Sequence, residues 1–299
     1  MKRGIALILV LLLLTGCAAG PAEQTGIVTP ASVYTVQDTL TVHFIDVGQA
    51  DCALLECGNM YALIDGGNYA DGPAVVKHLE AQGVQRLNLV VGTHPHEDHI
   101  GGLSQVINAF DVVNVWSSAL PYTNSTVYSF THAAEKAGID IRYPQIGDTF
   151  CLGDATITML GPVKSGYEDS NNLSLVLMVE FGDTRFLFTG DMESDAERDL
   201  LDSGADVKAD VLKVGHHGSY SSTSYLFLRQ VAPSYAVISV GRDNEYGHPH
   251  DAPMSRLRDA DVTIYRTDQM YTVIAASDGT EITFTWGNTK AQPWYPKAA

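Results

Sequence analysis

From Thr39 onward, short apolar runs alternate with segments whose apolar positions recur at helical spacing. "LTVHFIDVG", "CALLEC" and "MYALIDGG" predict strands, and "AVVKHLEAQG" predicts a helix closed by Gly83. "LNLVVGT" is a further strand that runs directly into the polar stretch "HPHEDHIGG". The second half repeats the style. "ATITMLGP" predicts a strand, and "NLSLVLMVEFGDTRFLFTGD" predicts a hairpin turning at Gly182-Asp183. The strands "ADVLKVGHHGS", "YAVISVG" and "VTIYRT" alternate with the helices "ESDAERDLLDSG", "STSYLFLRQVAP" and "APMSRLRDA", and "YTVIAASDGTEITFTW" completes the pattern. Two such halves predict an α/β fold of two sheets packed face to face, with helices outside. No linker interrupts residues 40–288, so one domain is expected there, followed by a short polar tail at 289–299.

The first residues, "MKRGIALILVLLLLTGCAAG", follow a different pattern: Lys2 and Arg3, an apolar run from Ile5 to Leu14, then small residues. That run is too short to cross a hydrocarbon core of about 30 Å and fits the centre of a secretory signal, residues 1–16. Leu14-Thr15-Gly16-Cys17 resembles the lipobox of bacterial lipoproteins, which implies cleavage before Cys17 and lipidation of its thiol. Two or more acyl chains make a stable anchor. Residues 17–39, rich in small residues and without periodicity, read as a flexible tether. The expected location is extracytoplasmic, lipid-anchored to the bacterial cell membrane, and no protein partner can be inferred.

The chain has 299 residues, 45% hydrophobic and 18% charged, which suits one large folded domain rather than disorder. Its formal charge is −17, and loss of Lys2 and Arg3 with the signal takes it to −19. Such a field repels a polyanion such as DNA unless metals or a local patch offset it. Besides Cys17 there are Cys52, Cys57 and Cys151, with no C-x-x-C spacing. They fit neither a disulfide framework nor a structural zinc site, and all three are expected to be small core residues.

The pattern His94-x-His96-x-Asp98-His99 sits at a predicted strand end, where open α/β sheets place their sites. In an extended loop His94 and His96 face one side and suit one ion; Asp98 and His99, on the next turn, suit a second. Gly101 and Gly102 let the backbone approach the site. Further donors stand at other strand ends: Asp191 after "FLFTG", able to bridge two ions, His216 and His217 after "VLKVG", and His248 in "NEYGHPH". His43, His78 and His132 stand alone and read as ordinary surface or core residues. Asp46 and Gln49 either line the pocket or close a turn between strands. Ser219 and Ser222 either donate to a substrate oxyanion or cap the helix beginning near Ser221.

"FIDVGQAD", "LIDGG", "THPHEDHIGGL", "SNNLSLVL", "LFTGD", "LKVGHHGS", "ISVGRDNEYGHP" and "YRTD" together resemble the metallo-β-lactamase superfold, and within it the hydrolase domain of the ComEC family of DNA-uptake proteins. The resemblance runs from about residue 42 to residue 268. It implies a four-layer αββα sandwich with a di-metal centre at one edge. It also implies that His94, His96, Asp98, His99, Asp191 and His216 are direct ligands, with Asp191 bridging and His216 the final histidine of the superfold. Asp65 of "LIDGG" matches the carboxylate that orients a ligand histidine. Where most superfold members place another ligand histidine, this chain reads Ser170-Asn171-Asn172, a pattern the ComEC-like group shares. Asn172, a water or His217 must fill that place, with His217 preferred.

The implied function is a metal-dependent hydrolase in which two divalent ions activate water; the nitrogen and oxygen donors admit zinc, manganese or iron, with zinc or manganese expected. Asp98 would accept or orient the water's proton, and His248 would protonate the leaving oxygen. Phosphodiesters suit two metals best, so the favoured substrate is a phosphodiester of nucleic acid or of a wall polymer. Rivals are an esterase for phosphorylcholine on cell-wall teichoic acid and a non-catalytic metal-binding lipoprotein; the Asn171-Asn172 departure argues against β-lactams.

Overall fold

The computed structural model describes residues 39–118 and 124–287, which belong to one compact unit. The signal, the lipidation site Cys17, most of the tether and the tail lie outside the described residues. The first half supplies β1 (Leu40–Phe44), β2 (Ala53–Cys57), β3 (Met60–Ile64), α1 (Gly72–Ala81), β4 (Arg86–Leu87), β5 (Leu89–Gly92), α2 (Glu97–Ile100), α3 (Leu103–Ala109), β6 (Asp111–Val112), β7 (Val115–Ser117), α4 (Ser125–Lys136) and β8 (Ile141–Arg142). The second supplies β9 (Thr149–Leu152), β10 (Ala155–Gly161), β11 (Val176–Phe181), β12 (Thr184–Phe188), α5 (Ser194–Asp202), β13 (Val211–Lys213), α6 (Tyr225–Val231), β14 (Tyr235–Ile238), α7 (Asp251–Asp259), β15 (Thr263–Arg266), α8 (Thr267–Met270), β16 (Val273–Ser277) and β17 (Ile282–Trp286).

Three apolar cores define four layers. The central one lies between the sheets, where Val42, Phe44 and Val91 of the first meet Ile157, Leu177, Phe186 and Phe188 of the second. Phe44 stacks on Phe188 with ring centroids 5.8 Å apart. Leu54, Leu63 and Val90 turn outward against α1, α3 and α4 through Leu79, Val106 and Phe130. Met178, Leu187 and Leu212 do the same against α5, α6 and α7 through Leu200, Phe227 and Leu257. The fold is the expected α/β sandwich of αββα layers. The β5 sequence "LVVG" is buried at every position because both faces of that strand are covered.

Strand order in the first sheet is β17-β16-β1-β2-β3-β5-β7-β8, and in the second β15-β14-β13-β12-β11-β10-β9. The final apolar stretch therefore does not stay with its half of the sequence. β16 crosses to pair with β1, Leu40 opposite Ser277, and covers the edge that β2 leaves open. The β11–β12 hairpin turns at Gly182 and Asp183 as its sequence predicts. Gly182 has φ +57°, and a Cβ there would lie 2.4 Å from the Gly279 carbonyl oxygen, so the position needs glycine.

Cys52 and Cys57 are buried, but Cys151 is exposed, against the expectation that all three are core residues. β9 is the outermost strand of its sheet, and alternation sends Phe150 toward the core and Cys151 to the other face.

His43 of β1 is buried and meets His78 of α1 edge to face, with centroids 5.5 Å apart. The ring nitrogens His43 Nδ1 and His78 Nε2 are buried without hydrogen-bond partners. Burial, and for His43 the neighbouring His78, lowers both pKa values to about 4. The folded state thus binds fewer protons than the unfolded one between the ordinary value of 6.5 and about 4. Stability is full above that window and is lost as pH falls through it. Metal-free protein with His43→Leu should show a shallower acid-side loss than wild type, by roughly 2–3 kcal/mol at pH 4; parallel urea-unfolding curves from pH 7 to 4 would refute this.

Candidate metal centre

In both sheets the strands leading to the polar residues run parallel: β3, β5 and β7 in one, and β12, β13 and β14 in the other. The chain leaves β5 through Thr93, His94 and His96, and α2 carries Asp98 and His99. Gly101 and Gly102 follow; a Cβ at Gly102 would stand 2.1 Å from the Gly66 carbonyl oxygen. Asp191 lies three residues past β12, and His216 and His217 lie past β13. Both histidines have left-handed backbones, φ +50° and +52°, which turn two neighbouring rings away from an extended course.

Asp191 stands at the middle, with about 1% of its surface exposed. Its Oδ1 is 3.2 Å from His99 Nε2, and its Oδ2 is 3.7 Å from His217 Nε2, 3.7 Å from His216 Nε2 and 4.0 Å from His94 Nε2. Its backbone N–H donates to Ser174 Oγ at 3.0 Å. Asp98, His99, Asp191 and His217 each bring one ligand atom within 4.8 Å of the others. His94 Nε2 and His96 Nδ1 lie 3.0 Å apart on the other side, and His96 Nε2 meets Ser170 Oγ at 2.7 Å.

The donors fit metal ions. His99 Nδ1 donates to Asp65 Oδ2 at 2.8 Å, which leaves Nε2 as a lone pair. That Nε2 and Asp191 Oδ1 face each other at 3.2 Å, buried and without a hydrogen-bond partner among the described residues, an arrangement that a shared cation relieves. Burial opposes protonation of His99, but Asp191, Asp65 and Asp98 outweigh it and hold its pKa well above the ordinary value. His217 behaves alike: burial lowers its pKa, while Asp191 and Asp51 raise it to about 10. Asp98 is raised by burial yet held at about 2 by His99 and His217, so it is ionised at neutral pH. Divalent ions would displace these protons.

Each donor is held from behind. Asp65, itself at φ +59°, accepts from the Thr93 N–H and hydroxyl at 2.8 Å each, as well as from His99, as a ligand-orienting carboxylate should. His217 Nδ1 lies 3.0 Å from the Ser239 carbonyl oxygen and 3.3 Å from Asp51 Oδ1. Asp51 Oδ2 is in turn 2.7 Å from the buried Lys213 ammonium. His216 Nδ1 meets Glu193 Oε1 at 3.2 Å.

Several sequence expectations change. The final histidine of the superfold was expected at His216, with His217 filling the first metal position. The left-handed turn instead groups His217 with Asp98, His99 and Asp191 and leaves His216 outside that group. Asn172 is not aimed at an ion, because its Oδ1 accepts the Glu193 N–H at 3.0 Å. Asp46 closes a turn, with Oδ1 accepting from Gly48 at 3.2 Å, and burial raises its pKa to about 6. Ser222 donates to the Met192 carbonyl at 2.8 Å, Ser219 pairs with Ser221, and the cap of α6 is Ser224. His248 does reach the centre, its ring 5.6 Å from His216 and 6.3 Å from His217. Gln49 Nε2 donates to its Nδ1 at 3.2 Å, so its proton sits on Nε2; burial and then the two histidines lower its pKa to about 4. Asp51, Lys213 and Glu193 carry no sequence signal of their own, and Ser170 stands out in the sequence only as part of the stretch that replaces the superfold's histidine. Asp51 and Lys213 stand within "FIDVGQAD" and "LKVGHHGS", but a single acid or lysine at a strand end carries no spacing signal.

The model of the metallo-beta-lactamase superfamily matches residues 45–242. The chain is 31% identical over 250 residues to ComE operon protein 3 of Bacillus subtilis (strain 168), covering 78% of this chain and 32% of that protein. It is 31% identical over 225 residues to the competence protein ComA of Neisseria gonorrhoeae, covering 75% of this chain and 30% of that one. The chain thus spans about a third of the length of these curated relatives. Among solved structures, the metallo-beta-lactamase fold protein YhfI from Bacillus subtilis superposes with a TM-score of 0.55 at 14% identity, covering 80% of this chain and all of that one. With this match and the donor set around Asp191, the chain belongs to the metallo-β-lactamase superfamily and is ComEC-like within it.

Proposed function

We propose that this superfamily hydrolase is a phosphodiesterase that uses a water activated between two divalent ions, zinc or manganese. The observation that carries the reading is the buried Asp191 carboxylate ringed by His94, His99, His216 and His217. The ions, when bound, supply Lewis acidity for the phosphoryl oxygens and a nucleophilic water near neutral pH. His99, His217, Asp98 and Asp191 would hold one ion, and His94, His96 and Asp191, with His216 beside them, the other. Asp98, whose side chain is 30% exposed, faces solvent as an ionised acceptor and orients the attacking water. His248 presents a neutral Nε2–H and stabilises the leaving oxygen as a hydrogen-bond donor, a narrower role than proton delivery.

The relatives named for competence favour nucleic acid as the phosphodiester, while the charge of −17 favours short or single-stranded substrate over long duplex. With a lipidated Cys17, the centre would work at the outer face of the cell membrane.

The test is turnover of bis(p-nitrophenyl) phosphate by protein reconstituted with zinc or manganese. Asp191→Ala should abolish it, by at least about a thousandfold, since the carboxylate is shared by both positions. No turnover in protein that holds two ions would sink the reading. Metal analysis should find two ions per chain in wild type and about one in His217→Ala; a single tightly held ion in wild type would favour a structural metal instead. His248→Ala should lower kcat roughly 10- to 100-fold with metal content unchanged. Loss of an ion from that variant would show His248 to be a ligand.

A further inference from the structure

Gln49 stands in the loop between β1 and β2, and its amide reaches across to the loop that follows β14 in the other sheet. Its Oε1 accepts the Gly241 N–H at 3.0 Å, and its Nε2 lies 3.2 Å from His248 Nδ1. The first contact decides the second. A backbone N–H can only donate, so the amide oxygen faces Gly241 and the amide NH2 faces the imidazole. Turned over, the amide would set its NH2 against the Gly241 N–H and leave two donors unpaired. Nδ1 therefore accepts, and the neutral ring carries its proton on Nε2, which has no hydrogen-bond partner among the described residues.

The surroundings hold this contact in place. The two backbones approach so closely that a Cβ at Gly241 would lie 2.6 Å from the Gln49 nitrogen. Asn244 closes the second loop from within: its Oδ1 accepts the His248 N–H at 2.9 Å, and its Nδ2 donates to the carbonyls of Gly241 and His248 at 2.9 and 2.7 Å. The His248 ring packs on Tyr246, stacked with centroids 5.6 Å apart, and on His250, edge on at 4.7 Å. These contacts fix where the ring lies. Gln49 alone among them addresses which ring nitrogen carries the proton.

The same short stretch also serves the other side of the centre. Two residues after Gln49, the Asp51 N–H donates to the Asp98 carbonyl at 3.0 Å, and Asp51 Oδ1 is 3.3 Å from His217 Nδ1. Residues 49–51 thus touch His248, His217 and Asp98, three groups that the chain otherwise brings from separate strand ends.

We propose that Gln49 is the positioning residue for the leaving group: through Nδ1 it fixes the tautomer and orientation of His248, so that an Nε2–H is presented to the departing oxygen. This rests on the phosphodiesterase reading for the reaction. When the P–O bond breaks, both electrons stay on the departing oxygen, and the Nε2–H hydrogen bond stabilises that charge until solvent supplies a proton. The more basic the departing oxygen, the more such a donor contributes. Gln49 therefore extends the substrate range from activated aryl esters toward phosphodiesters of ordinary alcohols.

The experiment compares methyl 4-nitrophenyl phosphate with methyl phenyl phosphate, which differ in the basicity of the departing oxygen. The zinc-loaded full chain is assayed as wild type, Gln49→Leu, His248→Ala and the double variant. Gln49→Leu should keep both ions and lower kcat about threefold for the nitrophenyl ester and at least about tenfold for the phenyl ester. In the His248→Ala background it should change neither rate further, because Gln49 acts through that ring. Equal losses on the two esters, or a loss that adds in full to that of His248→Ala, would reduce Gln49 to a merely structural residue. A second readout needs neither metal nor turnover. In nitrogen-15 spectra of metal-free protein at neutral pH, wild-type His248 should be protonated on Nε2 and bare on Nδ1. Gln49→Glu still accepts from Gly241 but offers the ring an acceptor, and should place a proton on Nδ1. A protonated Nδ1 in wild type, or a bare one in Gln49→Glu, would overturn the proposal. If wild type hydrolyses neither ester, the phosphodiesterase reading fails separately, and the spectra still decide whether Gln49 sets the tautomer.

Discussion

The structure depends on one carboxylate in an unfavourable place. Asp191 is buried where the ends of two sheets meet, with four imidazoles around it. An isolated carboxylate there would cost several kcal/mol in lost hydration. Burial raises its pKa, and the neighbouring His99 and His217 reverse the effect and hold it well below the ordinary value. The site is therefore built to be ionised and to be satisfied by positive charge.

The same logic extends one layer back. Asp51, Asp65, Asp98 and Asp191 all lie within this centre, and Lys213 is the one permanent cation that the described structure pairs with them. Three negative charges remain to be offset, more than protonated histidines can balance if those histidines are to serve as ligands. Two dications answer that need. Asp51, Asp65 and His99 also bring ligand atoms within 4.8 Å of each other, but the Lys213 ammonium already lies against Asp51. That lysine acts as a fixed cation, ties Asp51 in place, and through Asp51 keeps His217 turned toward Asp98 and Asp191.

Much of the architecture was legible as pattern. The continuous apolar run of β5, the hairpin at Gly182-Asp183 and the helices α1, α5, α6 and α7 follow from local periodicity and turn chemistry. The stretch from α3 through β9 carried almost no signal, because β6, β7 and β8 are two or three residues long and cannot display a period. Cys151 is exposed although its residue type suggests core, because an outermost strand and an inner one read alike in sequence.

The sequence by itself determined what is local. His94, His96, Asp98 and His99 converge because a strand end and a single helical turn separate them, and Asp65 could be assigned its partner through the resemblance. Only the tertiary structure decided which of two adjacent histidines joins Asp98, since that depends on left-handed backbone angles that a non-glycine pair does not announce. It also decided that Asn172 secures Glu193 and that β16 returns to β1. Each of these is a contact between segments distant in the chain, and no periodicity encodes such a contact.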